Sequence, residues 1–125
     1  MTFLYIFIGG GLGAISRFGL SSIVQAMVQN TRLQRMPVGI FAANMIGCLL
    51  IGIVVGYIAS RGNASPTWLN PLVVTGFLGG FTTFSTFALD NHKLLSESPS
   101  HAAFNIAASI IGSIIAVWLG FKIAQ

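Results

Sequence analysis

Apolar residues gather in four long stretches, divided where charges, proline and side-chain amides cluster. Crossing the hydrocarbon core takes roughly 20 apolar residues as a helix. The pattern therefore predicts one domain, 1–125, of four transmembrane helices over about 2–27, 38–59, 68–89 and 102–121. Arg17 lies in the first stretch and the other three carry no formal charge. A mostly polar run, 29–35, separates the first pair. A run ending in Pro66 separates the second from the third, and residues 90–101 separate the third from the fourth. Tyr5, Tyr57, Trp68 and Trp118 fall near the ends of the stretches, where amphipathic rings favour the headgroup region.

Composition changes the solvent in the picture. Apolar residues make up 54% of the chain and charged residues 6%, with a mean hydropathy of +0.86, whereas a globular chain carries about 25% charged residues. A water-exposed surface cannot be assembled from so few charges, so lipid is the expected surrounding and a multi-pass protein of the cell inner (plasma) membrane is the expected class. The net charge of +4 and pI near 10.0 come from basic residues scattered along the chain, not from a patch or stripe, which excludes nucleic acid as a partner. Met1-Thr2-Phe3 lacks a basic leader, so the first stretch is expected to stay in the mature protein. Cys48, the single cysteine, is expected to pack as a small hydrophobe.

With four spans both termini lie on one side, and Arg61 and Lys122 there nearly balance Arg32, Arg35 and Lys93 on the other. So even a balance selects no orientation. It points to insertion both ways and antiparallel pairing about an axis in the membrane plane, as in fused inverted-repeat transporters. Small residues four apart, Gly9 and Gly13, Gly52 and Gly56, Gly76 and Gly80, and Gly112, Ala116 and Gly120, let helix backbones approach closely. Four helices leave little room for a private aqueous pore, so a transport path is expected partly between subunits of a homodimer.

The third stretch holds Gly76-Phe77-Leu78-Gly79-Gly80-Phe81-Thr82-Thr83-Phe84-Ser85-Thr86-Phe87, unusually polar for its centre. Two readings stand. In one, the glycines are packing notches, the hydroxyls bond back to the i−4 carbonyls, and Phe81, Phe84 and Phe87 line one helical face. In the other, the helix breaks at Gly79-Gly80, which membrane depth tolerates only where the freed backbone is buried in protein or lines a cavity. Freed carbonyls then attract a small cation, while Thr83, Ser85 and their neighbours become neutral donors for an anion. Asn44 is the lone amide of the second stretch, and Asn105, Ser109 and Ser113 share one stripe of the fourth. These are either interhelical glue or a ladder of uncharged donors that replaces water around an anion. Arg17 is expected to anchor the vestibule or cap carbonyls, since a cation inside a pore would hold an anion too tightly for passage. His92 and His101 are expected in a solvated loop, away from any metal.

These motifs together resemble the Fluc/CrcB family of small bacterial fluoride channels over nearly the whole chain. Gly10-Gly11-Leu12-Gly13-Ala14-Ile15-Ser16-Arg17-Phe18 is similar to the family's first-span signature, Asn44-Met45-Ile46-Gly47 to its second, and the segment Gly79 to Phe87 to its third. The resemblance implies an all-α, dual-topology antiparallel homodimer with a broken third helix, two fluoride pores and a central structural sodium ion. It also implies that Phe84 and Phe87 line the path with their positive ring edges, and that Asn44 supplies a donor. Ser113, with Ser109 one turn before it, matches the fourth-span polar track, and the carbonyls of Gly79 and Thr82 match the sodium positions. Val117 and Ile40 stand where relatives often carry hydroxyls, so the outer end of the track is expected to differ, with Asn105 offsetting it from the opposite end. Fluoride is small and strongly hydrated, and compact hydroxyls, an amide and ring edges replace its water without formal charge. A small dual-topology multidrug or cation exporter is the competing reading, but it needs a membrane-embedded carboxylate, and the only acids are Asp90 and Glu97. No catalytic constellation or phosphate loop suggests an enzyme, and a purely structural subunit leaves the glycine pair and its polar flank without a purpose.

Overall fold

A computed structural model describes every residue from Met1 to Gln125. The chain is all-helical: α1 (Thr2–Met27), α2 (Val38–Arg61), α3 (Asn70–Leu78, continued through Gly79–Phe81), α4 (Ser85–Glu97) and α5 (Pro99–Ala124). Four helical segments are long and apolar enough to cross a membrane, with α3 and α4 together forming the third. Only 16 of 125 residues are buried, and α1 and α2 bury only glycine and alanine. Large side chains such as Phe3, Phe7, Ile15 and Phe18 face outward. This inverts the order of a water-soluble core and suits a multi-pass protein whose solvent is hydrocarbon.

Glycine makes the helix contacts. A Cβ on Gly13 would fall on the Phe77 carbonyl, and one on Gly80 on the Gly10 carbonyl, so α1 and α3 touch backbone to backbone. Gly52 and Gly120 do the same for α2 and α5, where side chains would meet the carbonyls of Val117 and Leu49. The α2–α5 and α1–α3 pairs are the most extensive contacts of the fold, while α4 packs chiefly on α5.

The connections refine the expected boundaries. Gln25 of α1 holds the first one: its Nε2 donates to the carbonyls of Gln34 (3.3 Å) and Met36 (3.1 Å), and its Oε1 accepts from Gly39 N–H (3.0 Å) at the start of α2. Asn30 turns there at φ 64°. The run 90–101 is not a loop. Helix α4 continues past Leu89 to Glu97 because Asn91 and Leu94 find a buried face, and only Ser98 separates it from α5. The Ser98 hydroxyl accepts from His101 N–H (3.5 Å) and Pro99 opens the next helix. His92 therefore sits on α4 and His101 in the first turn of α5, both exposed. The first part of α3 is wound wider than an α-helix, Gly79 N–H reaching back to the Val74 carbonyl.

Candidate functional site

Winding stops at Phe81 and resumes at Ser85, with Thr82 extended at φ −88° and ψ 155°. Gly79 and Gly80 are helical, so the expected interruption lies just after the glycines and not at them. The reason is tertiary: Gly80 is committed to the backbone of α1, whereas the next residues meet a polar competitor from α2. Asn44 clamps Thr83 from both sides, its Oδ1 accepting from Thr83 N–H (2.8 Å) and its Nδ2 donating to the Thr83 carbonyl (3.0 Å). Gly47, one turn later on α2, makes room for the approach, since a side chain there would fall on the Thr82 methyl group and the Phe81 ring.

The clamp frees backbone groups. In an unbroken helix Thr83 N–H would bond the Gly79 carbonyl and Thr86 N–H the Thr82 carbonyl. Here the first goes to Asn44 and the second to Thr83 Oγ1 (3.3 Å). Thr83 Oγ1 also lies 3.3 Å from Ser85 Oγ and from Thr86 Oγ1, a hydroxyl cluster over the first turn of α4. That helix end adds the partial positive charge of its N-terminus. Thr82 alone follows the back-bonding pattern, its Oγ1 donating to the Leu78 carbonyl (3.0 Å).

The interruption also splits the phenylalanine stripe. Phe81 turns inward and stacks on Phe77 with centroids 5.8 Å apart, while Phe84 and Phe87 stand together at 5.5 Å, tilted by 39°. A groove of about 520 Å³ runs beside them, and its walls include Asn44, Gly79, Thr82, Thr83, Ser109 and Ser113 as well as both rings. Ser109 Oγ is the one buried side-chain polar atom without a hydrogen-bond partner. Asn44 has spent one N–H on Thr83, so its second is the donor it has left. Cys48 lines the same groove; it was expected only as packing, yet its place one turn after Asn44 was the available signal. The groove is open along one side, with Phe84 78% and Ile114 67% exposed.

A polar hollow of about 440 Å³ adjoins it, lined by residues that include Gln25, Arg35, Thr86, Asp90, Lys93 and Glu97, with Ile40 among its apolar walls. Thr86 of this hollow and Thr83 of the groove are hydrogen-bonded to each other, so hydroxyls join the two spaces. At the far end Ser113 gives way to Ile114, Val117, Trp118 and Phe121, an apolar stretch. Three expected site residues stand elsewhere. Ser85 is exposed and reaches the groove only through Thr83. Arg17 is half-buried and lines neither space. Asn105 does not continue the donor stripe: its Nδ2 donates to Asn91 Oδ1 (2.9 Å).

Residues 4–121 match the family described as CrcB-like protein, Camphor Resistance (CrcB). Among curated relatives, the fluoride-specific ion channel FluC of Flavobacterium psychrophilum is 38% identical over 99% of this chain and 97% of its own length. That of Francisella philomiragia is 40% identical over 97% and 92%, and that of Methylobacillus flagellatus 37% identical over 98% and 93%. A match of this extent, on a four-helix chain whose Asn44, Gly79, Thr82, Thr83, Phe84 and Phe87 meet at one groove, places it: the chain belongs to the CrcB family, whose named relatives are ion channels and not enzymes.

Proposed function

We propose that this protein is a fluoride-specific channel giving passive fluoride efflux across the cell inner membrane, and that it protects the cell from fluoride accumulated through ingress of neutral HF. The observation that carries the reading is the groove itself, where hydroxyls, one amide and two phenylalanine rings converge with no formal charge among them. Neutral dipoles in number replace the water of a small anion, and because each holds it weakly the ion also leaves. The ring edges of Phe84 and Phe87 are the positive rim of their quadrupoles, and the orphaned Ser109 hydroxyl is a donor waiting for an acceptor. Asp90 and Glu97, the only acids, line the polar hollow and not the groove, which disfavours a proton-coupled cation exporter.

The working unit in this reading is an antiparallel, dual-topology homodimer with two pores. Its support is the groove's open side, which a second copy would close, together with the near-even balance of basic residues across the membrane. A structural sodium at the dimer interface belongs to the same reading. The Gly79 and Thr82 carbonyls, whose usual donors are diverted, fit such an ion because hard carbonyl oxygens substitute for its hydration shell. Bound there, it would supply positive charge and a centre tying the two interrupted helices together. Arg17, away from the groove, is assigned to the vestibule wall.

The deciding experiment is efflux from liposomes holding the purified protein, read by a fluoride electrode, with chloride and a cationic dye in parallel. Fluoride release with both controls retained is the expected result. Dye uptake coupled to protons would establish the exporter, and release of none of the three would refute transport through the groove.

A further inference from the structure

Asn105 and Asn91 form a relay that the transport path itself does not use. Asn105 Nδ2 donates to Asn91 Oδ1 (2.9 Å), and Asn91 Nδ2 donates to the Phe87 carbonyl (2.8 Å). Both amides are buried, at 5% and 4% exposure, so neither has water as an alternative partner. Their places in the helices matter. Asn91 lies one turn after Phe87 on α4, and Asn105 one turn before Ser109 on α5. The relay thus spans the two walls of the groove at one end, the ring wall and the hydroxyl wall.

Helix α4 needs such a tie. The interruption after Phe81 uncouples it from α3, and it packs chiefly on α5. The Asn91–Asn105 bond is the one side-chain hydrogen bond between these two helices. Apolar contacts alone let packed helices slide or rotate, whereas a buried amide pair is directional and costly to leave unmade. In hydrocarbon, polar side chains act as interhelical glue for the same reason.

We infer that Asn91 and Asn105 are a positioning pair for fluoride conduction: the bond between them sets where the Phe84 and Phe87 rings stand against Ser109 and Ser113. The inference depends on the fluoride reading for its functional half, and on the relay alone for its structural half. Neither amide touches the ion.

The test separates these halves. Phe87 is replaced by 4-fluorophenylalanine in the full-length protein and its fluorine resonance followed in nanodiscs, with the same label at buried Phe81 as a control. The expected result is a single sharp Phe87 resonance that shifts and broadens in N105A, and at least as much in N91A, which also loses the bond to the Phe87 carbonyl. The double variant should look like N91A, because the Asn105 amide acts on the ring only through Asn91, and the Phe81 signal should stay in place. N105A breaks the bond between the helices alone and carries the comparison; N91A breaks it from the other side and serves where N105A does not fold. In vesicles carrying at most one dimer each, the fraction that releases fluoride should be unchanged while release slows by about 10-fold, the scale on which supporting partners act on a site. A smaller releasing fraction with an unmoved Phe87 resonance would reduce the pair to a folding contact and overturn the proposal, as would unchanged resonance and rate. If unsubstituted vesicles hold their fluoride, the channel reading falls on its own, and the Phe87 resonance still decides whether the pair positions the ring.

Discussion

Ser109 shows most directly what a single residue does in this fold. A buried hydroxyl left without a partner costs about 1–3 kcal/mol, and the chain keeps one on Ser109, a residue of the groove wall. Replacing Ser109 by Ala is expected to raise stability by about 1 kcal/mol while slowing fluoride efflux, read by unfolding in detergent beside vesicle release. Lower stability with undiminished flux would assign the hydroxyl to packing. Phe87→Ile keeps the bulk and discards the positive ring edge, so flux should fall by about 10-fold or more while the protein still folds and elutes as the unsubstituted one does; equal flux would take the ring out of the path. Cys48 lines the groove half-buried, and a small thiol-reactive methanethiosulfonate should block efflux and spare Cys48→Ser. The polar type of Asn44 and its position in an apolar stretch were readable from the chain, but its two-sided grip on Thr83 was not, because the partner lies 39 positions away.

At the level of elements, the third span carries the argument. Its interruption is expected at Gly79-Gly80 and stands at 82–84, because Gly80 serves close contact with α1 and the backbone yields where Asn44 offers better partners than the helix does. Composition alone does not distinguish a glycine that bends a helix from one that admits a neighbour. The α1–α3 contact depends on the second role. Gly13→Val would drive a branched side chain into the Phe77 carbonyl, and a backbone atom cannot move aside as a side-chain tip can. Overpacking of this kind costs about 1–3 kcal/mol or more, so the variant should lose yield and monodispersity in size-exclusion chromatography. Gly11→Ala, with open space around it, should behave as the unsubstituted protein. Helix α4 differs again: Asn91 and Leu94 carry it through a stretch whose charges and histidines suggested a loop, since a buried face outweighs a polar average.

For the whole molecule, the open groove and the diverted carbonyls are the features on which the proposed homodimer rests. If the Gly79 and Thr82 carbonyls hold sodium between two chains, purification with a bulky organic cation in place of sodium should weaken the dimer or abolish efflux, and its return on adding sodium should restore both. Indifference to the exchange would remove the ion from the assembly. Efflux needs no coupled energy source, because an inside-negative membrane potential drives an anion outward with about 2.3 kcal/mol per 100 mV. Amino-acid order by itself determined the solvent, the number of spans, the residue types able to hold a desolvated anion and the absence of an acid among them, since each follows from local composition and helical period. Tertiary structure alone decided which of those residues share a groove, where the third span opens, that Cys48 joins the lining and that Asn105 ties α4 to α5 instead of facing the path. Those outcomes depend on which donors win a contested carbonyl, and that competition is settled only when helices distant in the chain are packed side by side.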